Sequence, residues 1–246
     1  MKILGSDFDG TLTHGGIDDT KRSILQAWRN SGNKFGIVSG RPPQFLDALQ
    51  NEWKVPLDFF VALNGAYIID SNKQALFCAK CETLPVKELL QTLFACDCPF
   101  AYVNWEKPYI AIKSDGIKEN GYCIDCLPET PFFHQVSVEL ESVAHAASVT
   151  AVIAEKYSAF LNPLQNGRCI DIVPLGVNKA QGLYEVMKFY HATYNDVIAV
   201  GDNLNDLDML KEFKSYAMEN GVEEAKQAAT YLISDITQLI QKEMHE

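Results

Sequence analysis

Near its start the chain runs from a short apolar strand straight into two carboxylates: Ile3-Leu4-Gly5-Ser6-Asp7-Phe8-Asp9-Gly10-Thr11. Side chains two apart on a strand point the same way, so Asp7 and Asp9 address one crevice at the strand's end. Gly10 permits a sharp exit and a close approach of backbone. A carboxylate is costly to bury without a partner, and a surface turn capped by Thr11 leaves the doubled acid unexplained. The pair therefore predicts an open α/β sheet, where ligands bind beyond the carboxyl ends of the strands, with a cation at this one.

A second segment repeats the design. Val197-Ile198-Ala199-Val200-Gly201-Asp202 is again apolar strand, glycine and acid, with Asn203, Asn205, Asp206 and Asp208 behind it. If the two strands are neighbours, Asp7 and Asp202 meet in an oxygen site suited to Mg²⁺. Asn205 and Asp206 follow closely enough to face the same crevice. Helix capping accounts for Asp202 alone, but not for the run of amides and acids after it.

Smaller signals surround these. Ser39-Gly40, directly after the apolar stretch Phe35–Val38, offers a hydroxyl and backbone N–H groups that suit a phosphate; an ordinary strand-to-helix turn uses the same residues. Arg41 either reaches substrate or pairs with a surface acid, and His14 either touches substrate from a flap or is a solvated loop residue. Lys179 stands at a helix start, where a cation opposes the helix dipole, so it calls for an anionic partner.

The rest of the pattern organises these residues. Apolar strands at 3–4, 35–38 and 59–69 alternate with helices near 20–31 and 43–51, which implies a parallel sheet. In the first helix Ile24, Leu25 and Trp28 share a face and Gly32 marks the stop. The middle differs. It holds a helix over 85–95 and alternating pieces such as AYVNWE, YIAIKS and QVSVEL, read as antiparallel strands. A helix over 178–190, the strand 197–200 and a further helix starting in NLNDLDMLKEF restore the α/β rhythm. The fold class is α/β: a discontinuous Rossmann-like core, 1–77 and 174–246, with an inserted α+β domain, 78–173.

Composition narrows the partners. Lys and Arg total 21 against 32 Asp and Glu, a net charge of −11, which disfavours nucleic-acid and anionic-membrane surfaces. Any phosphate site must then carry its own positive charge. No secretory segment or membrane span is read, and 7 cysteines, an odd count, suggest a reducing cytoplasm. Cys78-x-x-Cys81 and Cys123-x-x-Cys126 either join in a tetrahedral zinc site or pack as buried thiols.

Asp-Phe-Asp-Gly-Thr at 7–11, Ser39, Lys179 and Gly-Asp-Asn-Leu-Asn-Asp at 201–206 resemble, in order and spacing, the haloacid dehalogenase superfamily of phosphotransferases. The insert's position, GRPP after Ser39, LNGAYI and AMENGVEEAKQAA are similar to the Cof-type phosphatases with a type IIB cap. The resemblance implies an Mg²⁺-dependent phosphatase for a small phosphorylated metabolite, with sugar phosphates favoured and the cap selecting the substrate. Asp7 would be the nucleophile and Asp9 the proton donor and acceptor, like-charge repulsion keeping Asp9 protonated beside an ionised Asp7. Asp7, the Asp9 carbonyl and Asp202 would hold the metal, with Asp206 behind them on its water shell or on Lys179. Ser39, Gly40 and Lys179 would hold the phosphate, Asn205 the phosphate or Lys179, and Arg41 the substrate.

Two rivals use similar residues. A phosphomutase clamps a second phosphate, usually with several arginines, whereas this insert has only Arg168. A phospho-aspartate receiver is about half this length and phosphorylates an acid in mid-chain.

Overall fold

The computed structural model describes residues 1–13, 16–113, 117–118 and 121–245; His14 lies outside them. In chain order the elements begin with β1 (Ile3–Ser6), α1 (Asp19–Asn30), β2 (Lys34–Val38), α2 (Phe45–Asn51), β3 (Phe59–Ala62), β4 (Tyr67–Asp70) and β5 (Ala75–Cys78). Next come α3 (Val86–Ala95), β6 (Phe100–Asn104), β7 (Tyr109–Ile112), β8 (Ile117–Lys118), β9 (Gly121–Tyr122), β10 (Gln135–Glu139), α4 (Val143–Tyr157), β11 (Leu161–Asn166) and β12 (Cys169–Pro174). The chain ends with α5 (Lys179–Phe189), β13 (Val197–Gly201), α6 (Leu207–Glu212), β14 (Lys214–Met218), α7 (Glu223–Ala228), β15 (Tyr231–Ile233) and α8 (Ile236–His245).

Two compact units result: Met1–Phe77 with Asn178–Glu246, and Cys78–Val177. The second crossing falls at Asn178 rather than at 174, because the residues after β12 stay hydrogen-bonded within the second unit. Leu175 N–H donates to Phe160 O at 2.8 Å, and Val177 N–H to Pro174 O at 3.1 Å.

The first unit is built on a sheet of order β15-β14-β13-β1-β2-β3-β4-β5. Its strands run parallel from β15 to β3. Both faces are covered, as a parallel sheet requires. Ile3, Val38, Val61 and Val197 pack with Leu183 and Val186 of α5 and Met209 of α6. Leu4, Ile37, Phe60 and Ile198, which alternate with them along the strands, are equally buried. In α1, Leu25 and Trp28 are buried while Ile24 is only half-buried. Asp18 caps that helix by accepting from Lys21 N–H at 2.8 Å.

The expected parallel sheet carries a reversed strand at one edge. β4 pairs antiparallel with β3, because Leu63–Gly65 forms a tight turn between them. A parallel return needs a crossover of about a dozen residues or more, and none is available there. The helix expected to start within NLNDLDMLKEF does so at Leu207, after a 3₁₀ turn over Leu204–Asp206.

The second unit is a mostly antiparallel sheet of order β11-β12-β10-β6-β7-β9-β8. Val103, Val136, Val138, Ile170 and Ile172 point from it into a cluster with Leu89 and Leu93 of α3 and Val149 and Ile153 of α4. Among the described residues no helix is long and apolar enough to cross a membrane.

One buried charge ties the C-terminal helix to the sheet. The Glu243 carboxylate on α8 has no exposed surface and accepts from Lys214 Nζ at 2.6 Å, Tyr216 OH at 2.5 Å and Lys2 Nζ at 3.0 Å. Burial alone would raise its pKa, but Lys214, Tyr216 and Lys2 together hold it below the ordinary 4.5. A depressed acid contributes stability that is complete above its unfolded pKa and is lost as pH falls through the folded one. Glu243→Gln is therefore expected to cost about 2 kcal/mol at neutral pH, the cost of a broken buried pair reduced for its partly exposed lysines. In denaturant titrations the gap between variant and wild type should close as pH drops below 4.5; a gap that does not change with pH would remove the ionic contribution.

Candidate active site

Parallel pairing brings three strand ends together. Ser6 lies beside Val200 of β13 on one side and Ile37 of β2 on the other. Asp7, Asp202 and Ser39, each just past its strand, thus share the carboxyl edge of the sheet, where open α/β folds bind ligands. The Asp7 N–H continues the ladder to Val200 O at 2.9 Å.

Lys179 occupies the centre. It is the first residue of α5, capped by Asn178, and its side chain is wholly buried. Its ammonium donates to Asp7 Oδ1 and Asp206 Oδ1, both at 2.5 Å. These are the anionic partners that a cation at a helix start demands. Burial alone would lower the Lys179 pKa, but Asp206 and Asp7 more than offset it and the value stands above that of an ordinary lysine. Lys179 is a fixed positive charge.

The rest of the site is negative. Asp206 turns its second oxygen back to accept the N–H groups of Asp202 at 2.9 Å and Asn203 at 3.0 Å. One carboxylate thereby closes its own turn and holds Lys179. Asp202 Oδ1 accepts from Thr11 Oγ1 at 2.5 Å. Gly10 has φ +86°, and a Cβ there would stand 2.5 Å from Asp202 Oδ2, so only glycine lets the two loops approach this closely.

Oxygens of Asp7, Asp202 and Asp206 all lie within 4.8 Å of one another. Burial pushes the Asp7 carboxyl well above 3.8, Lys179 opposes that push, and Asp206 and Asp202 add to it. The like-charge crowding expected to keep Asp9 protonated acts on Asp7 instead, and its sources are Asp206 and Asp202 on the loop after the neighbouring strand. Three carboxylates facing one ammonium leave negative charge to be met, and an all-oxygen donor set fits a hard divalent cation.

Asp9 is placed differently. Its carboxylate is paired with Arg41 through two bonds of 2.8 Å, and the guanidinium stacks 4.3 Å from the Phe45 ring centroid. Both side chains are about half exposed. Of the two roles open to Arg41 from sequence, the structure displays pairing with an acid, though the acid is one of the candidate pair. Ser39 is buried and its hydroxyl oxygen accepts Arg41 N–H at 3.3 Å, leaving its own proton to donate. Gly40 follows it in the same loop.

Asn205 is buried and its Nδ2 donates to Asn64 Oδ1 at 3.4 Å. Thr11 and Asn64 are the neighbours that residue-by-residue reading left out of the site. The Asn64-Gly65 dipeptide, a common signature of left-handed turns, was the available signal for the second. Among the described residues the cysteines form no group of metal ligands, so the zinc alternative is not assembled. Cys81 and Cys123 are buried, Cys78 and Cys126 exposed.

Known proteins resemble this chain in sequence and in fold. The family model of haloacid dehalogenase-like hydrolases matches residues 4–238. The 5-amino-6-(5-phospho-D-ribitylamino)uracil phosphatase YbjI of Escherichia coli K12 is 38% identical over 94% of this chain and 90% of its own length. The phosphatase of the same name YcsE, from Bacillus subtilis 168, is 39% identical over 94% and 89%. In fold, a HAD/COF-like hydrolase from Plasmodium vivax superposes with a TM-score of 0.83 at 19% identity, covering 100% of this chain and 96% of that one. A family model that spans nearly the whole chain places it plainly: this chain belongs to the haloacid dehalogenase-like hydrolases.

Proposed function

We propose that the protein is a metal-dependent phosphatase that frees inorganic phosphate from a small phosphorylated metabolite through a covalent intermediate on Asp7. The observation that carries this reading is Lys179, buried between Asp7 and Asp206 with Asp202 alongside. A nucleophilic carboxylate nearing a phosphate dianion is repelled, and a permanent buried cation lessens that repulsion.

Each residue has a part. The Lys179 bond fixes the Asp7 carboxylate and leaves its other oxygen to attack phosphorus, forming an aspartyl-phosphate as the bond to the leaving alkoxide breaks. Asp9 gives that alkoxide a proton, then takes one from the water that hydrolyses the intermediate. For this it exchanges its Arg41 fork for the substrate. The exchange is cheap, since an exposed ion pair contributes at most ~1 kcal/mol, and it frees Arg41 for the substrate. The Ser39 hydroxyl, the Gly40 N–H and Asn205 hold phosphoryl oxygens, where the charge of a loose transition state resides. Asp7, the Asp9 carbonyl and Asp202 would hold Mg²⁺, with Asp206 orienting them from behind; the ion would neutralise charge on the phosphoryl group.

The substrate we favour carries a primary phosphate on a sugar or polyol chain. The two relatives matched at 38% and 39% identity over 94% of this chain are both named for a phosphorylated ribitylamino compound, which heads the panel to be tested. A mutase needs a second phosphate clamp, and Arg168, the insert's one arginine, is already paired with Glu139 at 2.6 Å.

Phosphate release should be measured over 5-amino-6-(5-phospho-D-ribitylamino)uracil, hexose phosphates and pentose phosphates. Asp7→Asn is expected to lower turnover by about 10³-fold or more with the fold intact; a variant that keeps full turnover removes Asp7 as nucleophile. Dialysis against a chelator should abolish activity and added Mg²⁺ restore it. Full activity in the metal-free protein would exclude a metal from the reaction.

A further inference from the structure

The turn from β3 to β4 has a costlier backbone than a hairpin needs. Leu63 and Asn64 both take left-handed conformations, each with φ 51°, and Gly65 follows at 104°. Residues other than glycine rarely adopt this region, and strained backbone persists where the surroundings hold it. Asn64 is moreover completely buried.

Three parts of the candidate site meet this turn. Leu63 N–H donates to Arg41 O at 3.0 Å and Asn64 N–H to Ser39 O at 2.9 Å, fastening the loop that carries Ser39. A Cβ on Gly65 would lie 2.3 Å from Asn178 O, so the turn abuts the residue that precedes Lys179. The Asn64 side-chain oxygen accepts from Asn205 Nδ2 at 3.4 Å, which sets the direction of the Asn205 amide.

We propose that Asn64 is a positioning residue: its amide aims Asn205 at the phosphoryl group, and its left-handed backbone holds the Ser39 loop in register. This rests on the phosphatase reading, in which Asn205 and Ser39 are phosphate ligands. Asparagine suits both tasks, since it tolerates the left-handed region better than most residues and carries an acceptor.

Asn64→Gly separates the two tasks, because glycine keeps the left-handed backbone and deletes the amide. With 4-nitrophenyl phosphate as substrate, kcat/KM is expected to fall about 10- to 100-fold, as displaced ligands commonly cause, at an unchanged melting temperature. Introduced into Asn205→Ala, the same change should cost less than about twofold, since coupled residues fail to add. The inference falls if Asn64→Gly is as active as wild type. It falls too if its loss is equally large with and without Asn205, or if activity drops together with a melting temperature lower by more than about 10 °C. An Asn205→Ala enzyme with normal turnover would instead refute Asn205 as a phosphate ligand, and the inference with it. An impaired Asn205→Ala beside a normal Asn64→Gly would refute the inference alone.

Discussion

An ammonium group buried without water is costly unless anions surround it, and Lys179 is buried completely with a carboxylate on either side. Those carboxylates, Asp7 and Asp206, stand 199 positions apart on the loops after β1 and β13, so one ion pair network holds both loops to the head of α5. The dipole of α5 disfavours a cation at its first residue, which makes Lys179 the more dependent on its partners. Remove either carboxylate and the balance fails. The position of Asp7, the turn after Gly201 and the start of α5 are therefore one problem with one solution.

That solution is deliberately incomplete in charge. The chain carries −11 overall, and the site gathers Asp7, Asp202 and Asp206 within 4.8 Å of one another. A site with surplus negative charge attracts cations and admits a phosphate only alongside one. The raised pKa of Asp7 expresses the same surplus: burial and two neighbouring acids outweigh the single lysine. Asp9 escapes this crowding by turning toward Arg41. Two acids two residues apart thus have different surroundings, one dry and crowded, the other half exposed and paired. Different environments for neighbouring carboxylates are how one pair divides nucleophilic and proton-transfer work.

Glycine and the left-handed turn make the crowding possible. Gly10 lets its loop touch Asp202, and Leu63–Gly65 draws the Ser39 loop, Asn178 and Asn205 toward one point. The second unit solves a different problem with antiparallel strands and two helices over a separate core. Its thiols serve that core or the surface; Cys98 is buried there and its pKa is pushed up to about 12, as for an unreactive thiol.

Local sequence was enough for the elements and for the need each special residue has. Apolar runs at 3–4, 35–38 and 197–200 report burial on both faces, and an acid after such a run reports a strand end facing a cation. Lys179 at a helix start reports a missing anion. These are legible because period, capping and desolvation act within a few residues. Tertiary structure alone decided who meets whom: β13 beside β1, Lys179 rather than a metal's water shell as the partner of Asp206, Asp9 on Arg41, Asn64 under Asn205, and β4 reversed. Strand order and side-chain partners are settled by packing between segments up to about 200 residues apart, where alternatives differ by only a few kcal/mol, and local periodicity carries no record of that choice.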